Sequence, residues 1–283
     1  MRILTAVLGA LLLASSAATV TGLDHVPIAV SDLARAAADY RALGFALKPG
    51  RSHDDGIQNQ HVKFTDGTEL ELITAPAARD ALTRTYRQHL AQGDGPAFFA
   101  LFAPDMTAAD ARLAQLRIPH ARDAGAIDFP QDPALGYLFL SGRNASPTDR
   151  PEHFAHVNTA ESLVRVWLAG DDLSRERELL DGLGAAVADA DVRVPDAMHA
   201  SVARLQEGEV ILLPGSRQLV AGRRVVGATL RVGDLAAARA ILDRGQPTPL
   251  AIVTTRNSRS VFVPPSRTHG LWLEFLEPLR RPS

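Results

Sequence analysis

Residues 22–45 read GLDHVPIAVSDLARAAADYRALGF, and the kind of fold the chain makes turns on how they are interpreted. Val26, Ile28 and Val30 alternate with His25, Pro27 and Ala29, the period of a strand with two different faces. Asp32 then precedes Leu33, Ala36, Ala37, Tyr40 and Leu43, which are spaced for one face of a helix. An aspartate at that point accepts the free amides of a first helical turn and suits the helix dipole. The unit is therefore strand, aspartate, helix. An imidazole at its first position needs a reason, whether a core niche, a rim or the wall of a cavity.

The same unit recurs at FFALFAPDMTAADARLAQLRIP from Phe98, VRVWLAGDDLSRERELLDGLGA from Val164 and GATLRVGDLAAARAILDRGQP from Gly227. Asp32, Asp105, Asp172 and Asp234 are all predicted to cap their helices. Strand-like runs follow the helices: FALKPG, NQHVKFTDG and TELELI in the first copy, ASVARLQEG and EVILLP in the third, PLAIV, RSVFVPP and LWLEFLE in the fourth. The second copy fits less cleanly, because Pro130 and Pro133 interrupt its middle strand. A four-stranded sheet with a helix on one face leaves the other face bare, so two units must combine to close a cup. The predicted class is α+β, with four βαβββ modules paired into two barrel-like cups. The polar segment LSGRNASPTDRPEHFAHVNTAES separates the second copy from the third and divides the chain into residues 22–160 and 161–283.

With 283 residues, 46% of them hydrophobic, the chain can bury a large core. Its 30 basic and 32 acidic residues nearly cancel and form no basic stripe, which argues against nucleic acid or a membrane surface as partner. The amino terminus, MRILTAVLGALLLASSAATVTG, places Arg2 before an apolar run too short to span a bilayer comfortably. Ser16 and Ala18 follow as a small-x-small cleavage site, so residues 1–18 read as an export signal and the mature protein as periplasmic or secreted. Without cysteine there is no disulfide, thiolate metal site or thiol nucleophile. No Gly-rich phosphate loop, G-x-S-x-G elbow or H-E-x-x-H helix occurs. Arg143, Arg150, Arg223 and Arg224 read as solvated surface.

The opening stretch, LGFALKPGRSHDDGIQN with His53, Gly56 and Asn59, FTDGTELELI with Glu71, HFAHVNTAESL, and the closing VPPSRTHGLWLEFLEP together resemble the vicinal oxygen chelate superfamily. Its members include glyoxalase I, bleomycin-resistance proteins and extradiol dioxygenases, and the first half is most similar to the glyoxalase-like domain proteins. The resemblance implies a cup whose metal ligands come from the first and last strands of paired modules, with the metal chelating a substrate through neighbouring oxygens. Alternation adds that His25 shares a face with Pro27 and Ala29, and Glu71 with Glu69 and Ile73, so both point into the cup. They are the candidate ligands for zinc, iron, manganese or nickel.

Two ligands hold a divalent ion poorly. Counting back from each aspartate, His25 is matched by Phe98, Arg165 and Gly227, and the last strands offer Tyr137 or Phe139, then Glu209, then Glu274. A third ligand would have to come from His53, His61, His153 or His156; alternation lets His61 face either way. Without metal, Glu71 is the candidate base. His53, Asn59, His156 and Asn158 are expected around a small-molecule ligand, Asn158 alternatively as a turn or cap residue. Two functions follow. One is an exported protein acting on a small oxygen-rich molecule in the first cup, as a lyase, isomerase or dioxygenase; the other is a non-catalytic binding protein of the bleomycin-resistance type. The second half is expected to serve as scaffold and interface, including that of a homodimer.

Overall fold

All four strand–aspartate–helix units form. In the computed structural model, which describes residues 18–51, 53–123 and 125–279, the first module comprises strand His25–Ala29, helix Leu33–Ala42 and strands Lys48–Pro49, Gln58–Lys63 and Glu69–Thr74. The second runs from Phe99–Phe102 through helix Met106–Gln115 to the short strands Ala121–Arg122, Ala126–Asp128 and Leu138–Ser141. Pro130 and Pro133 fall in the turn-rich segment before the last of these, so the order survives although the strands are short. The third module is Ala160–Gly170, helix Ser174–Gly182, Ala186–Val194, Asp196–Arg204 and Glu209–Pro214. The fourth is Val225–Val232, helix Leu235–Leu242, Val253–Thr254, Ser258–Val263 and Trp272–Pro278.

Asp32, Asp105 and Asp234 cap their helices, each accepting a first-turn amide. Asp172 departs from the prediction. The cap position falls on Leu173, one residue later, and Asp172 instead accepts from the Ser174 amide at 2.9 Å.

The third and fourth modules share one eight-stranded sheet, joined where Ala160–Gly170 runs antiparallel to Val225–Val232. The first two modules form two five-stranded sheets in the same spatial order. Between them Leu23 faces Leu101 and Ile28 faces Pro96, one unbroken register. The Asp24 amide donates to Ala100 and the Ala97 amide to Pro27, but Pro27 has no amide to return, and the ladder opens there.

The helix-covered faces of both halves pack into one core, in which Val26, Ile28, Tyr40, Phe45, Leu70 and Leu72 meet Leu168, Leu230 and Phe275. Phe45 lies 5.8 Å from Phe275, the Tyr40 hydroxyl donates to the Thr268 carbonyl, and Arg112 donates to Gly182 at 2.8 Å. The two bare faces therefore turn away from each other. An additional helix, Ala81–Leu90, opens on a capping box between Asp80 and Thr83, and its Tyr86 packs edge-on against Phe98 at the end of the first cup.

The expected export signal, apart from Ala18, lies outside the described residues. Among the described residues no helix is long and apolar enough to cross a membrane.

Candidate functional site

Alternation orders the first cup as expected. Val26, Ile28, Val62, Phe64, Leu70 and Leu72 enter the shared core, and His25, Asn59, His61, Lys63, Glu69 and Glu71 occupy the other face. Cross-strand pairing sets Pro27 and His61 either side of Glu71, and His25 and Lys63 either side of Glu69. His25 Nε2 lies 3.8 Å from Glu71 Oε2, and His25 Nδ1 lies 3.1 Å from Asp24 Oδ2. Asp24 also accepts the Ser141 hydroxyl, and the Asn59 amide donates to Glu71 Oε1 at 2.5 Å. Asn59 fits because residue 50 is glycine: a Cβ there would lie 1.6 Å from Asn59 Oδ1.

Burial pulls the His25 imidazole down, but the hydrogen bond with Asp24 and the charges of Asp24, Glu71 and Glu69 more than offset it and leave the ring raised to about 9. It is an imidazolium at neutral pH. Burial likewise pushes Glu69 up, yet His61 beside it at 3.3 Å and the charges of His25 and Lys63 hold it below the usual carboxylate range. Beyond this group Asp149, on the loop after the second module, receives Lys48 at 2.5 Å and Lys63 at 2.7 Å. Asp24 Oδ1, Asn59 Oδ1, Glu69 Oε2 and His53 Nε2 are buried with no hydrogen-bond partner among the described residues. Buried polar atoms of this kind are satisfied by water or a polar ligand.

These residues do not fit the metal that the superfamily implies. The second module faces His25 with Phe139, edge-on at 5.3 Å, backed by Phe98. Among the described residues no group of three or more His, Cys, Asp or Glu is arranged to hold an ion. The other histidines do not complete the set. His61 faces Glu69, and His153 accepts the Arg150 amide on its own loop.

Two of the expected substrate contacts are corrected. His156 sits between Phe45 and Phe64, accepts the Ala46 amide through Nδ1 and meets the Lys63 carbonyl through Nε2, at 3.0 and 2.9 Å. Burial lowers its pKa, so it is a neutral latch on the core side of its sheet. Asn158 is fully buried, donating to Leu43 at the end of helix Leu33–Ala42 and accepting from Ala160. Asn59 stays with Glu71, and His53 Nε2 is buried without a partner among the described residues. Arg223 is corrected as well. It is buried and donates to the carbonyls of His89, Gly93 and Asp94, spanning the two halves.

The second cup, expected to be scaffold, also holds a charged cluster. Arg165, in the place of His25, donates to Glu209 at 2.8 Å, and Arg204 donates to the other Glu209 oxygen at 3.2 Å. Buried Glu274 accepts Thr229 and Ser260, both at 2.6 Å, while Trp167 donates to Thr229. At Gly227, the fourth position matching His25, a Cβ would meet the Trp167 ring at 2.1 Å. A guanidinium, a glycine and two carboxylates already held by arginine, threonine and serine do not fit a metal either. Alternation alone could have flagged Arg165 and Glu209 as same-face neighbours.

The fold is shared with solved enzymes. A triple mutant of 4-hydroxymandelate synthase from Streptomyces coelicolor superposes with TM-score 0.66 at 14% identity, over 93% of this chain and 94% of that one. A variant of homoprotocatechuate 2,3-dioxygenase from B. fuscum gives 0.61 at 12% identity, over 93% and 73%. A hypothetical protein from Staphylococcus aureus gives 0.60 at 12%, over 91% and 99%. Comparison with curated proteins finds no match. The family model described as a glyoxalase-like domain matches residues 23–205. With four βαβββ modules behind that match, the chain belongs to the glyoxalase-like domain family of the vicinal oxygen chelate superfamily.

Proposed function

We propose that the first cup binds a small oxygen-rich molecule and moves a proton on it without a metal, Glu71 accepting the proton and the His25 imidazolium standing by the oxygen that gains charge. The observation that carries this reading is the imidazolium–carboxylate pair at 3.8 Å, surrounded by buried polar atoms that lack partners. A carboxylate in reach of a carbon-bound proton is a general base, and a fixed cation beside the carbonyl stabilises the enolate that forms. Asn59 orients Glu71, and Asp24 keeps the imidazole charged. The reaction class is lyase or isomerase chemistry through an enolate. We also propose that the protein is exported: residues 19–21, directly after the expected cleavage site, are bonded to Leu183 and Phe102, so a chain cleaved there keeps these contacts.

The test is deuterium exchange followed by NMR, with small hydroxyketones and 2-oxo acids incubated with the protein in heavy water. Wild type is expected to exchange the acidic C–H, and Glu71→Gln to lose at least roughly a hundredfold in rate while still binding, the usual worth of a positioned base. Tight binding with no exchange in wild type would instead make the protein a sequestering module.

A further inference from the structure

The second cup contains a cavity of about 490 Å³ that the reading of the first cup does not use. Glu209 sits on its wall, clamped through its two oxygens by the Nε atoms of Arg165 and Arg204. Bonding through Nε leaves the outer nitrogens of both forks over; among the described residues the terminal nitrogens of Arg165 and Arg204 make no hydrogen bond, and Arg165 Nη1 lies 3.9 Å from Glu274. Glu274 cannot swing out to take them, because Thr229 and Ser260 hold both its oxygens. Exposed Arg193 and Arg256 line the same cavity, so four arginines face the three carboxylates of Asp191, Glu209 and Glu274 there. The remaining wall includes Val192, Val202 and Ile211, part of or packed against an apolar cluster under Trp167.

Guanidinium nitrogens left over in a fixed geometry recognise a planar oxyanion, and an apolar wall beside them favours a hydrocarbon body attached to it. We propose that the second cup is a binding site for a small organic carboxylate, its anionic end on Arg165 and Arg204 and its apolar part against Val192, Val202 and Ile211. The cation at residue 165 stands where the superfamily would place a metal ligand, and it binds the anion directly. Glu209 is the positioning residue of the pair.

Benzoate is a suitable probe, with benzamide and acetate as controls, titrated by calorimetry into the full chain. Saturable benzoate binding is expected, at least roughly tenfold tighter than benzamide, which lacks the charge, and than acetate, which lacks the ring. Arg204→Gln is expected to weaken benzoate at least roughly tenfold, the worth of a charge-assisted hydrogen bond, and Glu71→Gln in the first cup to leave it unchanged. Should Arg204→Gln fail to fold, Arg165→Lys keeps the charge but loses the fork, with the same loss expected. The proposal is overturned if benzoate does not saturate, if benzamide binds equally well, or if binding survives the arginine change and disappears in Glu71→Gln. The last outcome would place the anion in the first cup.

Discussion

Residue 25 decides what the first cup can do, because its charge state separates a ligand for a cation from a cation in its own right. The imidazole titrates near 9 in the fold against 6.5 for an unstrained histidine. A raised folded value means that the proton stabilises the native state: the contribution is complete below pH 6.5 and is lost as pH rises through 9. Its upper size is about 3 kcal/mol. Urea unfolding on either side of that window is therefore expected to show wild type losing stability relative to His25→Gln as pH rises, with the gap between them closing near the upper end. A constant gap would mean that the folded and unfolded states hold the ring proton equally and that the value is not raised. The alternation that put His25 and Glu71 on one face was legible in the sequence, since strand period needs no tertiary information. That Asp24 reaches the same imidazole was not, because a residue adjacent in a strand ordinarily points the other way.

Helix Ala81–Leu90 shows what element-level reading misses. Its interior, LTRTYRQH, is mostly polar, and only Thr83 and Tyr86 are buried, so no apolar stripe announces it. The Asp80–Thr83 capping pair was the available signal. Its carboxyl end depends on a residue far away in sequence: Arg223 takes the His89, Gly93 and Asp94 carbonyls at 2.6 to 2.9 Å. A pair of arginines in a loop reads as surface until the other half of the chain supplies acceptors. Arg223→Met is expected to cost about 2–4 kcal/mol in chemical denaturation, since several charge-assisted bonds to buried carbonyls are lost together. A change of a few tenths would show that water replaces the guanidinium freely. Three of the four aspartates, by contrast, cap where the sequence places them, because a cap is a local device.

At the scale of the molecule, duplication was the most legible feature, since each copy carries its own strand and helix periods. What each cup holds was less so. Counting from the aspartates correctly found Arg165 and Gly227 in the positions matching His25, but the consequence needed the register, which pairs Arg165 with Glu209 as it pairs His25 with Glu69. Both cups thus set a protein cation against carboxylates at positions where the superfamily resemblance implies metal ligands. The account rests most heavily on the first of those cations. Its most direct test is to follow the His25 ring protons by NMR across the pH range, with and without added zinc, in wild type and Asp24→Asn. The expected result is a midpoint near 9 that zinc does not move and that falls markedly in Asp24→Asn. A midpoint at or below 6.5, or a ring signal displaced by one equivalent of zinc, would contradict it.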